Sequence, residues 1–322
     1  MSYGAGVSVI IAAYNAEGFI GRAIASALEQ TLPPREIIVV DDCSSDGTGE
    51  FLKESARDNE IIKVITLARN GGPSVARNAG IEAAQGDWLA ILDADDAFAP
   101  NRLAMLMPFA AETGADFVAD DLAYYDAAAG CITGNGMGHD TVLPDGPIRL
   151  YDFLAHNLAN GRGLDWGLLK PIFRRSTLIE RGITYDAGMA HGEDFRLVVD
   201  LLLSGAKFRI LPQPLYLYTQ RQGAVSKRAS GLTRTTIAYG KLKHAALTLA
   251  QDPRIASDPE LVALLRQRAR GLGRQDDAHF ISGALRAGAF GDIMKRTVKD
   301  PSFLPLMLRQ IGSAMQRRLR IN

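Results

Sequence analysis

Trp88-Leu89-Ala90-Ile91-Leu92-Asp93-Ala94-Asp95-Asp96 is the stretch that decides the fold. Five consecutive apolar residues suit a strand buried on both faces. The run then breaks abruptly into acids. The same pattern stands upstream, where Ile37-Ile38-Val39-Val40 ends in Asp41-Asp42. Earlier still, Val7-Ser8-Val9-Ile10-Ile11 is a short run rich in β-branched residues, and Ile61 to Leu67 supplies another strand.

Helical signals separate these strands. Phe19, Ile20, Ala23, Ile24, Ala27 and Leu28 recur at helical spacing, and Pro33-Pro34 punctuates after them. Ser44-Ser45-Asp46-Gly47-Thr48 offers N-cap chemistry for a second helix, and Ser74 to Ala84 reads as a small-residue helix closed by Gly86. Alternating strand and helix predicts an α/β fold, a mostly parallel central sheet flanked by helices. Ligands of such sheets gather beyond the carboxyl ends of the strands. Asp41 and the Asp93–Asp96 group both fall there and are expected to face one crevice.

Beyond Gly114 the pattern is mixed. Phe117-Val118 predicts a strand, Gly130 to Gly146 a Gly-rich loop and Pro147 to Ala159 a helix. A further helix is expected from Glu193, then a strand at Phe208–Leu211. After Ser230 the sequence becomes helical and rich in Arg and Lys. The expected organisation is an α/β domain over 1–229, with halves 1–100 and 101–229, and a helical C-terminal region over 230–322.

Lys and Arg total 36 and so do Asp and Glu, so no global field favours nucleic acid. Cys43 and Cys131 are too few for a disulfide scaffold or a Cys-built zinc site. Met1 to Gly6 lacks a basic n-region, which argues against a secretory signal, and no apolar run reaches the length of a spanning helix. The expectation is a cytoplasmic protein, with attachment to a membrane surface left open.

Clustered carboxylates repel unless a cation or hydrogen-bond donors compensate them. An oxygen-ligated Mg2+ or Mn2+ shared with substrate phosphates is one solution for Asp93–Asp96. A helix N-cap or acidic loop ahead of Asn101 is the other. Asp41 and Asp42 can accept from a base N–H or a ribose hydroxyl. Ser44, Ser45 and Asp46 read as turn chemistry. Arg77 can bring a bidentate donor to phosphate or base, or lie on the surface. Cys43 reads as a small turn residue. The five histidines lack metal-ligand spacing, and His191 stands two residues before Glu193.

In combination these segments resemble family 2 glycosyltransferases. The resemblance rests on Val9 to Asn15, Val39 to Thr48, Asn70-Gly71-Gly72-Pro73-Ser74-Val75-Ala76-Arg77-Asn78-Ala79-Gly80 and Asp93-Ala94-Asp95-Asp96, the DXD position. Ala13 and Cys43 stand where the family usually has Pro and Gly. The resemblance implies a GT-A fold and a nucleotide-sugar donor, most often UDP-linked. It places Ala13, Tyr14 and Asp41 at the nucleoside, Arg77 near base or phosphates and Asp93 at the ribose, and it counts Asp42 and Ala94 among the residues that bind the nucleotide sugar. Asp95 becomes the ligand of Mn2+ or Mg2+ on the diphosphate. Gly192-Glu193-Asp194 matches the later acidic motif, with Asp194 as catalytic base and Glu193 orienting the acceptor. Trp166, Lys170 and His191 fall on the acceptor side, and Arg221 lies in a closing Tyr/Arg segment running to about residue 228.

The Gln-x-x-Arg-Trp motif of processive members is absent, since Trp88 and Trp166 are the only tryptophans. Transfer of one hexose per encounter to a glycan or lipid-linked saccharide is therefore expected, and the sequence is similar in tone to succinoglycan-type glucosyltransferases. Two other readings stand beside it. A sugar-nucleotide pyrophosphorylase needs a Gly-rich basic loop after the first strand, where this chain has Ala12-Ala13-Tyr14-Asn15-Ala16-Glu17. A degenerate sugar-nucleotide-binding scaffold has no need of Asp95 and Asp194. Finally, Leu304, Met307, Leu308, Ile311 and Met315 form a helical stripe near Arg309, Arg317, Arg318 and Arg320. Such a helix can lie on an anionic leaflet or pack on the domain.

Overall fold

A computed structural model describes residues 6–138, 141–161, 163–220, 237–299, 303–305 and 307–308. The chain divides into two compact units, one of residues 1–157 and 163–236, the other of 158–162 and 237–322. The expected boundary near residue 230 lies outside the described residues.

The first unit is built on a nine-stranded sheet. Its opening half follows the alternation read from the sequence: β1 (Val7–Ala13), α1 (Ile20–Leu28), β2 (Glu36–Asp41), α2 (Thr48–Asp58), β3 (Ile62–Thr66), α3 (Pro73–Ala83) and β4 (Trp88–Asp93). These four strands are parallel in the order β3-β2-β1-β4. Every residue of β2 is buried, as its unbroken apolar run requires. Helix α3 packs so closely on β1 that a Cβ on Gly80 would approach Ile10 Cγ2 to 2.5 Å.

The second half is β5 (Ala97–Phe98), α4 (Arg102–Thr113), β6 (Phe117–Asp126), β7 (Cys131–Asn135), α5 (Leu150–Ala155), β8 (Ile172–Arg174), α6 (Arg175–Glu180), α7 (Glu193–Leu203) and β9 (Phe208–Gln220). A 3-10 turn at Trp166–Leu168 precedes β8. Strands β8, β6, β9 and β5 extend the sheet beyond β4, with β8 antiparallel to both neighbours and β6 parallel to β9. Together this is the GT-A-like α/β arrangement expected, with antiparallel pairings confined to the later half.

Three local expectations need correction. Residues 131–135 of the supposed Gly-rich loop are strand β7, hydrogen-bonded back onto β6. The helix expected over 147–159 is only α5. The strand expected at 208–211 continues to Gln220, absorbing Pro212 and Pro214 where the β6–β9 register shifts.

The second unit is helical: α8 (Tyr239–Leu249), α9 (Pro253–Ala256), α10 (Pro259–Ala287) and α11 (Phe290–Lys299). Asp258 caps α10 by accepting from the Glu260 and Leu261 N–H groups. Ile281, Ala284, Ile293, Phe303 and Met307 form one of its buried clusters.

Candidate active site

The strand register gathers the predicted acids at one sheet edge. Ala13 of β1 pairs with Asp41 of β2, and Ala12 pairs with Asp93 of β4. The loops beyond β1 and β2 are stitched together: Ser44 Oγ accepts from the Asn15 N–H, Asn15 Oδ1 from Ser45, and Thr48 Oγ1 from Ala16. Asp46 accepts from the Thr48 N–H, confirming its turn role. Tyr14 emerges from this seam with its side chain exposed. Buried Asp41 accepts from the Ser44 N–H at 3.0 Å. Cys43 has φ +61°, in the left-handed region that favours glycine, which accounts for the glycine usual at that position.

Asp42 is buried beside the loop that enters α3. Its two carboxylate oxygens accept from the Gly71 and Gly72 N–H groups, each at 2.7 Å. It braces the loop entering α3.

The acids after β4 separate into distinct jobs. Asp96 is buried, and accepts from Tyr216 Oη at 2.9 Å and the Thr219 N–H at 2.8 Å. Burial, with the charges of Asp95 and Asp93, pushes its carboxyl well above the ordinary range. Tyr216 Oη also accepts from the Asp93 N–H, so one phenol holds both ends of the turn. Ala94 is buried within it. Arg22 of α1 donates to the Asp95 carbonyl at 2.9 Å and to Thr219 Oγ1.

Asp93 joins a buried ionic cluster. Arg77 donates to Asp93 Oδ1 through Nη2 and to Glu193 Oε1 through Nη1, both at 2.7 Å, with Asp194 Oδ1 at 3.4 Å. Lys170 Nζ lies 2.5 Å from Asp194 Oδ2 and 3.0 Å from Asp93 Oδ2. Two cations thus hold three carboxylates from β4 and the first turn of α7. Burial works against the Asp93 charge, but Lys170 and Arg77 keep its carboxyl well below the usual range. Burial likewise disfavours the Lys170 ammonium, yet Asp194 and then Asp93 hold its pKa well above the ordinary value. The Tyr185 ring lies 5.2 Å from the Arg77 guanidinium, and burial followed by the Asp194 charge raises its phenol well above the usual range.

Gly192 starts α7 with φ +77°, a turn that a side chain would strain, and so aims Glu193 and Asp194 at this cluster. Arg77 was expected at phosphate or base. Here its Nη groups serve carboxylates, and its Nε is buried without a hydrogen-bond partner. Trp166 is 1% exposed and stacked on His156, making it a core side chain. Lys170 sits at the centre of the cluster. His191 is partly buried. Arg221 lies outside the described residues.

Sequence reasoning missed Arg22, Arg102, Asp120 and Tyr216 as organisers. Arg102 and Asp120 form a completely buried ion pair at 2.7 Å, and Arg102 Nη2 donates to the Lys170 carbonyl at 2.6 Å. The signal was present: two acids, Asp120-Asp121, interrupt the apolar run of β6, and a buried acid needs a cation or donors.

Among the described residues no group of three or more His, Cys, Asp and Glu side chains is arranged to hold a metal alone. A hard divalent ion that takes one or two carboxylates and completes its shell with substrate phosphates and water fits the donor set at the turn after β4. Asp93, Asp95 and Asp96 supply the carboxylate oxygens of that turn.

A family model described as Glycosyl transferase family 2 matches residues 8–152. The succinoglycan biosynthesis protein ExoO of Rhizobium meliloti (strain 1021) is 30% identical over 318 residues, covering 98% of this chain and 86% of its own. The chain belongs to glycosyl transferase family 2. A second succinoglycan biosynthesis protein of that organism, ExoU, is also 30% identical, over 98% of this chain and 89% of its own. In fold, the glycosyltransferase is similar to S. aureus TarS in complex with UDP-GlcNAc, at TM-score 0.62 and 21% identity over 82% of this chain and 72% of that one. It also resembles the mannosyltransferase PcManGT of Pyrobaculum calidifontis, in complex with GDP-Man and Mn2+, at TM-score 0.52 and 18% identity over 98% and 87% of the two chains. The enzyme is thus a GT-A-fold glycosyltransferase. No helix among its described residues is long and apolar enough to cross a membrane.

Proposed function

We propose that the enzyme transfers a single hexose, with glucose the leading candidate, from a UDP-linked donor to a hydroxyl of a glycan or lipid-linked saccharide, with inversion. The setting is the synthesis of a bacterial surface or exopolysaccharide, a reading supported by the names of the two succinoglycan relatives. The single observation that carries the chemistry is the ionic cluster joining Asp93, beside the DXD turn, to Asp194 at the start of α7.

In this reading the nucleoside lies over Tyr14 and Asp41 near the end of β1 at Ala13, and Arg221 belongs to the donor side. Asp95 would hold Mn2+ or Mg2+, whose chemistry is to offset charge on the departing diphosphate. Asp194 takes the proton of the acceptor hydroxyl. That oxygen forms a bond to the anomeric carbon, and the bond from that carbon to the diphosphate breaks with its electron pair leaving on phosphate oxygen. Glu193, anchored by Arg77, orients the acceptor, with His191 on the same loop.

A thermal-shift panel of nucleotide sugars, run with Mn2+ and with EDTA, tests the donor assignment. A ligand that binds only the folded protein stabilises it by mass action. UDP-glucose is expected to raise the melting temperature in Mn2+ and to lose most of that effect in EDTA. A larger shift from a GDP-linked or other sugar refutes the donor, and equal shifts in EDTA refute the metal.

A further inference from the structure

We propose that Lys170 is a positioning residue for transfer: its ammonium ties the base Asp194 to donor-side Asp93 and presents Asp194 Oδ1 to the attacking hydroxyl. This rests on the reading of Asp194 as the base.

Lys170 is held from both ends. Its carbonyl accepts from Arg102, whose guanidinium is fixed by Asp120 in an ion pair with neither side chain exposed. The main chain of Lys170 is therefore anchored to the core between the 3-10 turn and β8. At the other end, Nζ meets Asp194 Oδ2 at 2.5 Å and Asp93 Oδ2 at 3.0 Å, with only 7% of the side chain exposed.

Burying an ammonium is costly, and ordering a lysine stem adds to that cost. A neutral side chain avoids the cost of the charge but leaves Asp93 and Asp194 with Arg77 alone. The lysine is explained if its place between two carboxylates has a use. Each carboxylate offers about four lone-pair sites. Lys170 occupies Oδ2 of Asp194 at close range, whereas among the described residues Oδ1 has the 3.4 Å contact from Arg77. Oδ2 is thus the anchored oxygen, and Oδ1 keeps acceptor capacity for a hydroxyl proton. Because the same ammonium holds Asp93, the base carboxylate keeps a fixed place relative to the donor side.

Such a residue governs the rate of transfer more than the affinity for donor. Displacing a reacting group by about 1 Å costs on the order of 100-fold in rate. Lys170→Met should therefore lower kcat by about 100-fold while the donor Kd stays within about threefold. Lys170→Ala should regain part of its rate, saturably, when methylammonium or ethylammonium is added, which a merely structural side chain does not allow. On an Asp194→Asn background Lys170→Met should add little further loss, because both act through one carboxylate.

Lys170→Gln, which keeps a hydrogen-bond donor without charge, serves if Lys170→Met does not fold. Asp194→Asn losing transfer while Lys170→Met and Lys170→Gln keep wild-type kcat overturns this proposal and leaves the base reading standing. A Lys170 loss that multiplies undiminished with Asp194→Asn also overturns it. Wild-type turnover by Asp194→Asn overturns both.

Discussion

Arg77→Met removes the guanidinium from the middle of the ionic cluster while keeping most of the side-chain volume. Asp93 and Asp194 retain Lys170, but Glu193 Oε1 loses its 2.7 Å contact with Arg77. Stripping one partner from a buried ion pair costs about 3–5 kcal/mol. The lower end applies because the Asp93, Glu193 and Asp194 side chains keep 26%, 11% and 11% of their exposure. Loss of the contact with the Tyr185 ring adds about 0.5–1 kcal/mol. Removing the buried, unpartnered Nε returns about 1–3 kcal/mol. The expected net loss is about 2 kcal/mol. Trp88 and Trp166 both lie in the first unit, so urea unfolding followed by tryptophan fluorescence reads that unit's stability. Arg77→Met/Glu193→Gln should recover much of the loss, because the stranded charge is gone. A loss below about 1 kcal/mol for the single variant, or no recovery in the double, refutes the account of the cluster.

Three further outcomes follow from individual sites. The raised carboxyl of Asp96 means that the folded state keeps a proton the unfolded chain releases, so its stabilisation is complete below about pH 4 and fades as pH rises towards the folded pKa. Asp96→Asn should accordingly gain stability relative to the wild type between pH 5 and 8, measured as urea midpoints, and a pH-independent gap contradicts this. Cys43→Gly should stabilise the first unit by about 0.5–1 kcal/mol, since relief of left-handed strain exceeds the added entropy of glycine; a loss of stability in urea counts against it. The expected C-terminal stripe is divided, with Met307 buried against Phe303 and Leu304 and Leu308 exposed, and Ile311, Met315 and the four arginines outside the described residues. If the exposed pair meets an anionic leaflet, Leu304→Glu/Leu308→Glu should abolish co-sedimentation with anionic vesicles, and unchanged sedimentation rejects the contact.

The parallel half of the sheet was legible because β1, β2 and β4 are buried on both faces and the apolar runs of β2 and β4 end where the acids begin. The start of α7 was legible from Gly192-Glu193-Asp194 for a similar local reason. What escaped was set by distant partners. Nothing near Asp42 in sequence shows that its oxygens belong to Gly71 and Gly72, nor does anything near Lys170 show that it reaches Asp93 and Asp194. The expected strand ended at Leu211, whereas the irregular β6–β9 register carries β9 through Pro212 and Pro214, residues that ordinarily end strands. Trp166 looked like a site residue through its surrounding motif, while its ring fills the core beside His156.

The central claim is that Asp194 takes the acceptor proton in glycosyl transfer. Its most direct test is the single-turnover rate of sugar transfer by Asp194→Asn, with donor affinity measured on the same sample and Glu193→Gln as the companion variant. The account predicts a fall of about 100-fold or more for Asp194→Asn with the donor Kd unchanged, and a smaller effect on rate for Glu193→Gln. Transfer by Asp194→Asn at the wild-type rate contradicts it.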